Sequence, residues 1–148
     1  ALSCACVGRE GPRGPQGPQG PQGEPGDGGV NWDVTWFTVN SEDWELVEIG
    51  TESFYMYTVT GDAVAQLDEF AAREGLFQLY IYPYGVEKDA DGNYVGCQAL
   101  LPYTRYYTDF SYATDYEFVP GELSIFITYS DYRKMQPDTF TFRLVTLW

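Results

Sequence analysis

GREGPRGPQGPQGPQGEPGDGG, residues Gly8–Gly29, places glycine at every third position without a break: Gly8, Gly11, Gly14, Gly17, Gly20, Gly23, Gly26 and Gly29. Proline fills the following slot at Pro12, Pro15, Pro18 and Pro21. Glycine makes up about 7% of ordinary sequence, so this phasing is not chance. Three polyproline II strands wound around one axis leave no room for a side chain at the axis, which makes a period of three a steric requirement. The stretch divides the chain into a leader (residues 1–7), a stalk (8–29) and a domain (30–148). The third slot carries Glu10, Arg13, Gln16, Gln19, Gln22, Pro25 and Gly28, without hydroxyproline to strengthen a triple helix, so the stalk needs help to wind. About seven triplets make a rod on the order of 60 Å, and a single polyproline II strand would also serve as a semi-rigid spacer.

Working back from the stalk, Ala1-Leu2-Ser3-Cys4 looks like the end of a bacterial lipoprotein signal, with Cys4 as the acylated residue. Cys6 is a competing acceptor, and Cys4 and Cys6 as interchain disulfides are the alternative. Acyl chains contribute about 0.8 kcal/mol per buried methylene, and stable anchoring takes more than one chain. A cysteine, then Gly-Pro-Gln triplets, then a β-rich domain containing Leu100-Leu101-Pro102-Tyr103-Thr104-Arg105-Tyr106-Tyr107 resembles the collagen-like lipoproteins of gut Gram-negative bacteria. The resemblance implies an outer-membrane or cell-surface location, lipid anchoring and no catalytic activity, and it supplies no catalytic residues.

Working forward, the rest of the chain is one domain's worth, 18% of the whole is aromatic, and 13 residues are tyrosine, which suits pleated sheets better than helices. The expectation is a mostly β fold, an antiparallel β-sandwich or jelly-roll with one α-helix at about 62–74. Trp32, Val34 and Trp36 read as one buried strand face, with Phe37 and Val39 in opposite phase beyond a bulge near Trp36. Phe54–Thr60 reads as a strand covered on both sides, preceded by a short strand around Trp44–Val47. Asp62 as amino-terminal cap, Val64, Leu67, Phe70 and Ala71 at helical spacing, and Gly75 as a left-handed cap define the helix. Leu76–Pro83 follows as a strand with Phe77, Leu79 and Ile81 inward. Tyr94–Leu101 is the next, with Cys97 in the core. Phe110, Tyr112, Tyr116 and Phe118 alternate along Asp109–Phe118. Pro120-Gly121 turns into Leu123, Ile125 and Ile127, and Phe140, Phe142 and Leu144 mark a central terminal strand.

The net charge of −14 falls on the domain, because Arg9 and Arg13 nearly offset Glu10, Glu24 and Asp27 in the stalk. Such a surface repels phosphate backbones, so no nucleic acid is expected as partner. Solubility is the plain reading of that charge, and a cationic partner or divalent ions the other. The sequence has no histidine, which removes the commonest general base and metal ligand. Neither an enzyme, a metal nor a cofactor is expected. Asp89-Ala90-Asp91-Gly92-Asn93 begins like a calcium loop, but Leu100 stands where the closing glutamate belongs, so a hairpin turn is expected.

Tyr80, Tyr82, Tyr84, Tyr103, Tyr106 and Tyr107 are too many to bury in one small domain. Tyr103, Arg105, Tyr106 and Tyr107 are therefore the candidate binding surface, for a glycan or a protein. Packing along the strands with wet hydroxyls is the alternative. The overall expectation is a lipid-anchored, stalked display module that assembles as a homotrimer, with the surplus tyrosines and Asp109–Phe118 as candidate trimer face; a stalked carbohydrate-binding module is the competing reading.

Overall fold

Side chains alternating with period two build most of this molecule, which the computed structural model describes over residues 12–21, 23 and 30–148. The strands are β1 (Trp32–Val39), β2 (Glu45–Ile49), β3 (Glu52–Val59), β4 (Leu76–Ile81), β5 (Glu87–Lys88), β6 (Tyr94–Val95), β7 (Ala99–Leu100), β8 (Tyr103–Tyr106), β9 (Ser111–Val119), β10 (Glu122–Tyr129) and β11 (Phe140–Leu147). One α-helix among the described residues, α1 (Glu69–Glu74), lies between β3 and β4. The strands pair antiparallel in two main sheets, ordered β1-β11-β4-β7 and β2-β3-β10-β9-β8, with β5-β6 as a separate hairpin.

The inner faces of the two sheets share one core. Leu123, Ile125 and Ile127 of β10 are fully buried, and they belong to the same cluster as Leu79 and Ile81 of β4 and Phe140, Phe142 and Leu144 of β11. Each such side chain contributes about 1.5–3 kcal/mol through burial. The terminal strand is central, as its apolar alternation predicts, with β1 on one side and β4 on the other. Strands β8, β9 and β10 follow one another as a meander within a single sheet.

Several details differ from the sequence expectation. No bulge interrupts β1: its ladder with β11 runs from Trp32↔Leu147 to Val39↔Phe140 in unbroken register. Phe37 pairs with the inward Phe142 and stacks on it at 5.5 Å, so Phe37 and Val39 face the core, while Trp32 and Trp36 face outward. The partner strand thus chose between two apolar phases. On β3 only the face of Tyr55 and Val59 is buried; Phe54 and Met56 on the other face are half-buried.

The helix is shorter than expected and starts later. Gly61–Val64 forms a 3-10 turn, and the cap of α1 is Asp68, whose Oδ1 accepts from the Ala71 N–H at 2.8 Å. Leu67 is held between these pieces: its carbonyl accepts from the Gly121 N–H at 2.7 Å, tying it to the β9–β10 turn. Val64, Leu67 and Ala71 are buried, but Phe70, on the expected apolar stripe, is exposed. Gly75 is not left-handed; its φ is −91°. Glycine is needed there for close approach, since a Cβ would stand 2.4 Å from the Leu147 carbonyl oxygen and 2.6 Å from that of Ala71.

The expected strand Tyr94–Leu101 is two short ones, β6 on the outlying hairpin and β7 on the edge of β4. The chain turns between them at Gly96, where a Cβ would meet the Gly85 carbonyl oxygen at 3.0 Å and the Tyr82 ring at 3.2 Å. Cys97, leaving that turn, is exposed instead of core. Residues 12–21 and 23 are exposed and make no hydrogen-bonded secondary structure. The anchor expected at Cys4, and Gly8, Gly11 and Gly26 of the stalk, lie outside the described residues.

Candidate functional site

The four candidate residues sit on and just after β8, the edge of the second sheet, where period-two geometry divides them. Tyr103 and Arg105 pair with Thr114 and Tyr112 of β9, both buried, and so point to the core side at the sheet's rim. Tyr106 points away and is 79% exposed. Tyr107 begins the β8–β9 turn, and its N–H donates to the Phe110 carbonyl at 2.8 Å. That bond closes the turn over Thr108 and Asp109 and lays the Tyr107 ring on Phe110, centroids 4.7 Å apart and 15° from parallel.

Arg105 joins this pair to a distant loop. Its guanidinium lies 4.6 Å from the Tyr84 ring centroid and 5.1 Å from that of Tyr107, and its Nη1 donates to the Pro83 carbonyl at 3.2 Å. On the other side, the Arg133 guanidinium lies 3.7 Å from the Phe110 centroid and is gripped by both carboxylate oxygens of Asp131. The result is a run of stacked planar groups, Tyr84, Arg105, Tyr107, Phe110 and Arg133. Planar, delocalised guanidinium suits this arrangement in a way an ammonium does not. Phe110 and Arg133 were not in the sequence-derived site, and no local signal marks them, because their neighbours come from separate loops.

Beneath the stack is a cavity of about 30 Å³ walled in part by Tyr107, Phe110, Tyr129 and Asp138, room for about one water and no sugar ring. Burial, with Asp138 and neighbouring phenols adding to it, pushes the Tyr129 hydroxyl up to about 12. Burial likewise pushes Tyr112 well above the ordinary phenol range. Tyr103 is raised by burial and then by the Tyr84 hydroxyl.

The Asp89–Asn93 segment is a turn, closing the β5–β6 hairpin. Asp89 Oδ1 accepts from the Asp91 and Asn93 N–H groups, both at 2.9 Å, and Oδ2 from the Asn93 side chain at 3.2 Å. These bonds, Asn93's foremost, hold the Asp89 carboxyl below its usual range. Among the described residues no three His, Cys, Asp or Glu side chains group to hold a metal, and no helix is long and apolar enough to cross a membrane.

No protein-family model matches the chain, and no curated protein or solved structure is significantly similar to it.

Proposed function

We propose that this is a non-catalytic envelope protein of the collagen-like lipoprotein kind, acylated at Cys4, whose Gly-X-Y stalk displays a β-sandwich domain, as a homotrimer, at the bacterial outer membrane or cell surface. The observation that carries the reading is the glycine period. A Cβ at Gly14, Gly17, Gly20 or Gly23 would meet nothing within 4 Å of its own chain. A single strand therefore gives no steric reason for glycine at every third residue, whereas an axis shared with two further strands does. Expressed with its native leader, the protein partitions into detergent and Cys4→Ser releases it. Retention of Cys4→Ser with release of Cys6→Ser would move the acylation, and retention of both would sink the anchor.

A second reading, a stalked glycan-binding module, draws on the exposure of Tyr106 (79%) and Tyr84 (65%). It is weakened because Arg105 and Tyr107 are already engaged with Tyr84 and Phe110 rather than presented as a free platform. Glycan-array binding abolished by Tyr106→Ala would favour it, and silence across the array leaves protein contact as the role of the domain.

A further inference from the structure

The outward face of the first sheet was not a candidate in the sequence, because β1 was expected in the opposite phase. Its side chains fall in cross-strand rows: Trp32–Leu147–Leu76, then Val34–Val145–Gln78, then Trp36–Arg143–Tyr80. Only Arg143 among these is charged and none is acidic, in a chain whose net charge is −14. The third row is roofed by the chain itself. Tyr94 of the β5–β6 hairpin stacks on Trp36 at 5.9 Å, Trp36 Nε1 donates to the Tyr82 hydroxyl at 3.1 Å, and Arg143 donates to Gln98 at 2.6 Å. Among the described residues nothing roofs the first row in this way, and Trp32 stands 69% exposed and Leu76 50%, with Val30, two residues before Trp32, at 71%.

We infer that this open row is where copies of the chain meet, three around an axis continuing the stalk. The inference rests on the trimer proposed above and names the face that holds it, in place of the tyrosines and the Asp109–Phe118 strand expected from sequence. Three features select a second copy as occupant. The glycine period calls for three parallel strands side by side. That period ends at Gly29, and Val30 and Trp32 follow directly, so the stalk delivers three copies of this same corner within a few residues, about 3.5 Å each, of a common axis. The acidic remainder of each domain repels its copies, whereas the side chains of this row carry no carboxylate; Asp33 has the opposite phase and accepts from the Thr35 hydroxyl at 3.0 Å. Domain contacts then raise the local concentration of the stalk strands and offset their ordering entropy.

Sedimentation of the full chain carrying Cys4→Ser and Cys6→Ser, so that neither lipid nor disulfide holds copies together, tests this at micromolar concentration. The parent is expected to be trimeric, and Trp32→Glu/Leu76→Glu to be monomeric. Ile49→Glu, an equally exposed apolar site on β2, is expected to remain trimeric. Near-ultraviolet circular dichroism from the buried Trp44 reports that each variant is folded, and Leu76→Lys alone is the milder variant should the double one unfold. A folded double variant, or failing it a folded Leu76→Lys, that stays trimeric overturns the inference, as does dissociation by Ile49→Glu. A monomeric parent overturns it too while leaving the lipid anchor, tested by detergent partition, to stand by itself.

Discussion

Replacing Arg105 by alanine tests whether the stacked surface is a structural clamp or a vacant platform. The change removes two ring contacts at a partly wet site, about 0.5–1 kcal/mol each. It also removes the bond to the Pro83 carbonyl, about 1 kcal/mol. Freeing the long side chain returns part of its rotamer entropy, up to about 2 kcal/mol for a fully ordered arginine. The net loss is about 1.5 kcal/mol, a fall in Tm of about 5–8 °C for a domain of this size. Urea unfolding followed by tryptophan fluorescence reads it, with the change expected in the midpoint and not in the slope. Arg105→Lys recovers less than half, because an ammonium lacks the planar stack. A double-mutant cycle with Tyr84→Ala is expected to give a coupling of about 0.5–1 kcal/mol. If Arg105→Ala stays within about 0.5 kcal/mol of the parent and the coupling vanishes, the stack does not hold in solution and the platform reading regains Arg105 and Tyr107.

Three other measurements check the remaining structure. At Gly75, where space is the constraint, Gly75→Ala is expected to cost about 1–3 kcal/mol and Gly75→Asn more; at Gly121, φ +79° with nothing near a Cβ, asparagine is expected to be better tolerated than alanine. The same order at both sites would show that Gly75 is a left-handed cap after all. Tyr112 and Tyr129 have folded pKa values raised above the unfolded value of about 10. Their contribution to stability is thus complete below about pH 10 and is lost as pH rises, through about 12 for Tyr129 and higher still for Tyr112, so phenolate absorbance should show a late, cooperative step coincident with unfolding. Thirteen tyrosines titrating together near pH 10 in the folded state would contradict their burial. Cys97, exposed, is expected to react with a maleimide without denaturant in a Cys4→Ser/Cys6→Ser background, and protection until unfolding would return it to the core.

What could be read from residues alone was whatever local spacing determines. The Gly-X-Y period is one such feature, because glycine at every third residue from Gly8 to Gly29 is a purely local repeat. The inward faces of β4, β10 and β11 are another, because Phe77, Leu79 and Ile81, Leu123, Ile125 and Ile127, and Phe140, Phe142 and Leu144 put large apolar side chains on one parity and less apolar ones on the other. Tertiary structure decided the cases in which spacing offered two answers. Strand β1 has large apolar groups on both parities, and only pairing with β11 turned Phe37 inward and left Trp32 outside. The helical stripe ran through Leu67, yet the distant Gly121 N–H claims the Leu67 carbonyl, so the helix begins after it. Arg105 was legible as a candidate, but its partners Tyr84 and Pro83 come from another loop, and the stack continues through Phe110 to Arg133 near the end of the chain. A contact between segments far apart in sequence leaves no periodic trace in either of them, and that is why the site's membership and the outward phase of Trp32 on β1 emerge only once the sheets are assembled.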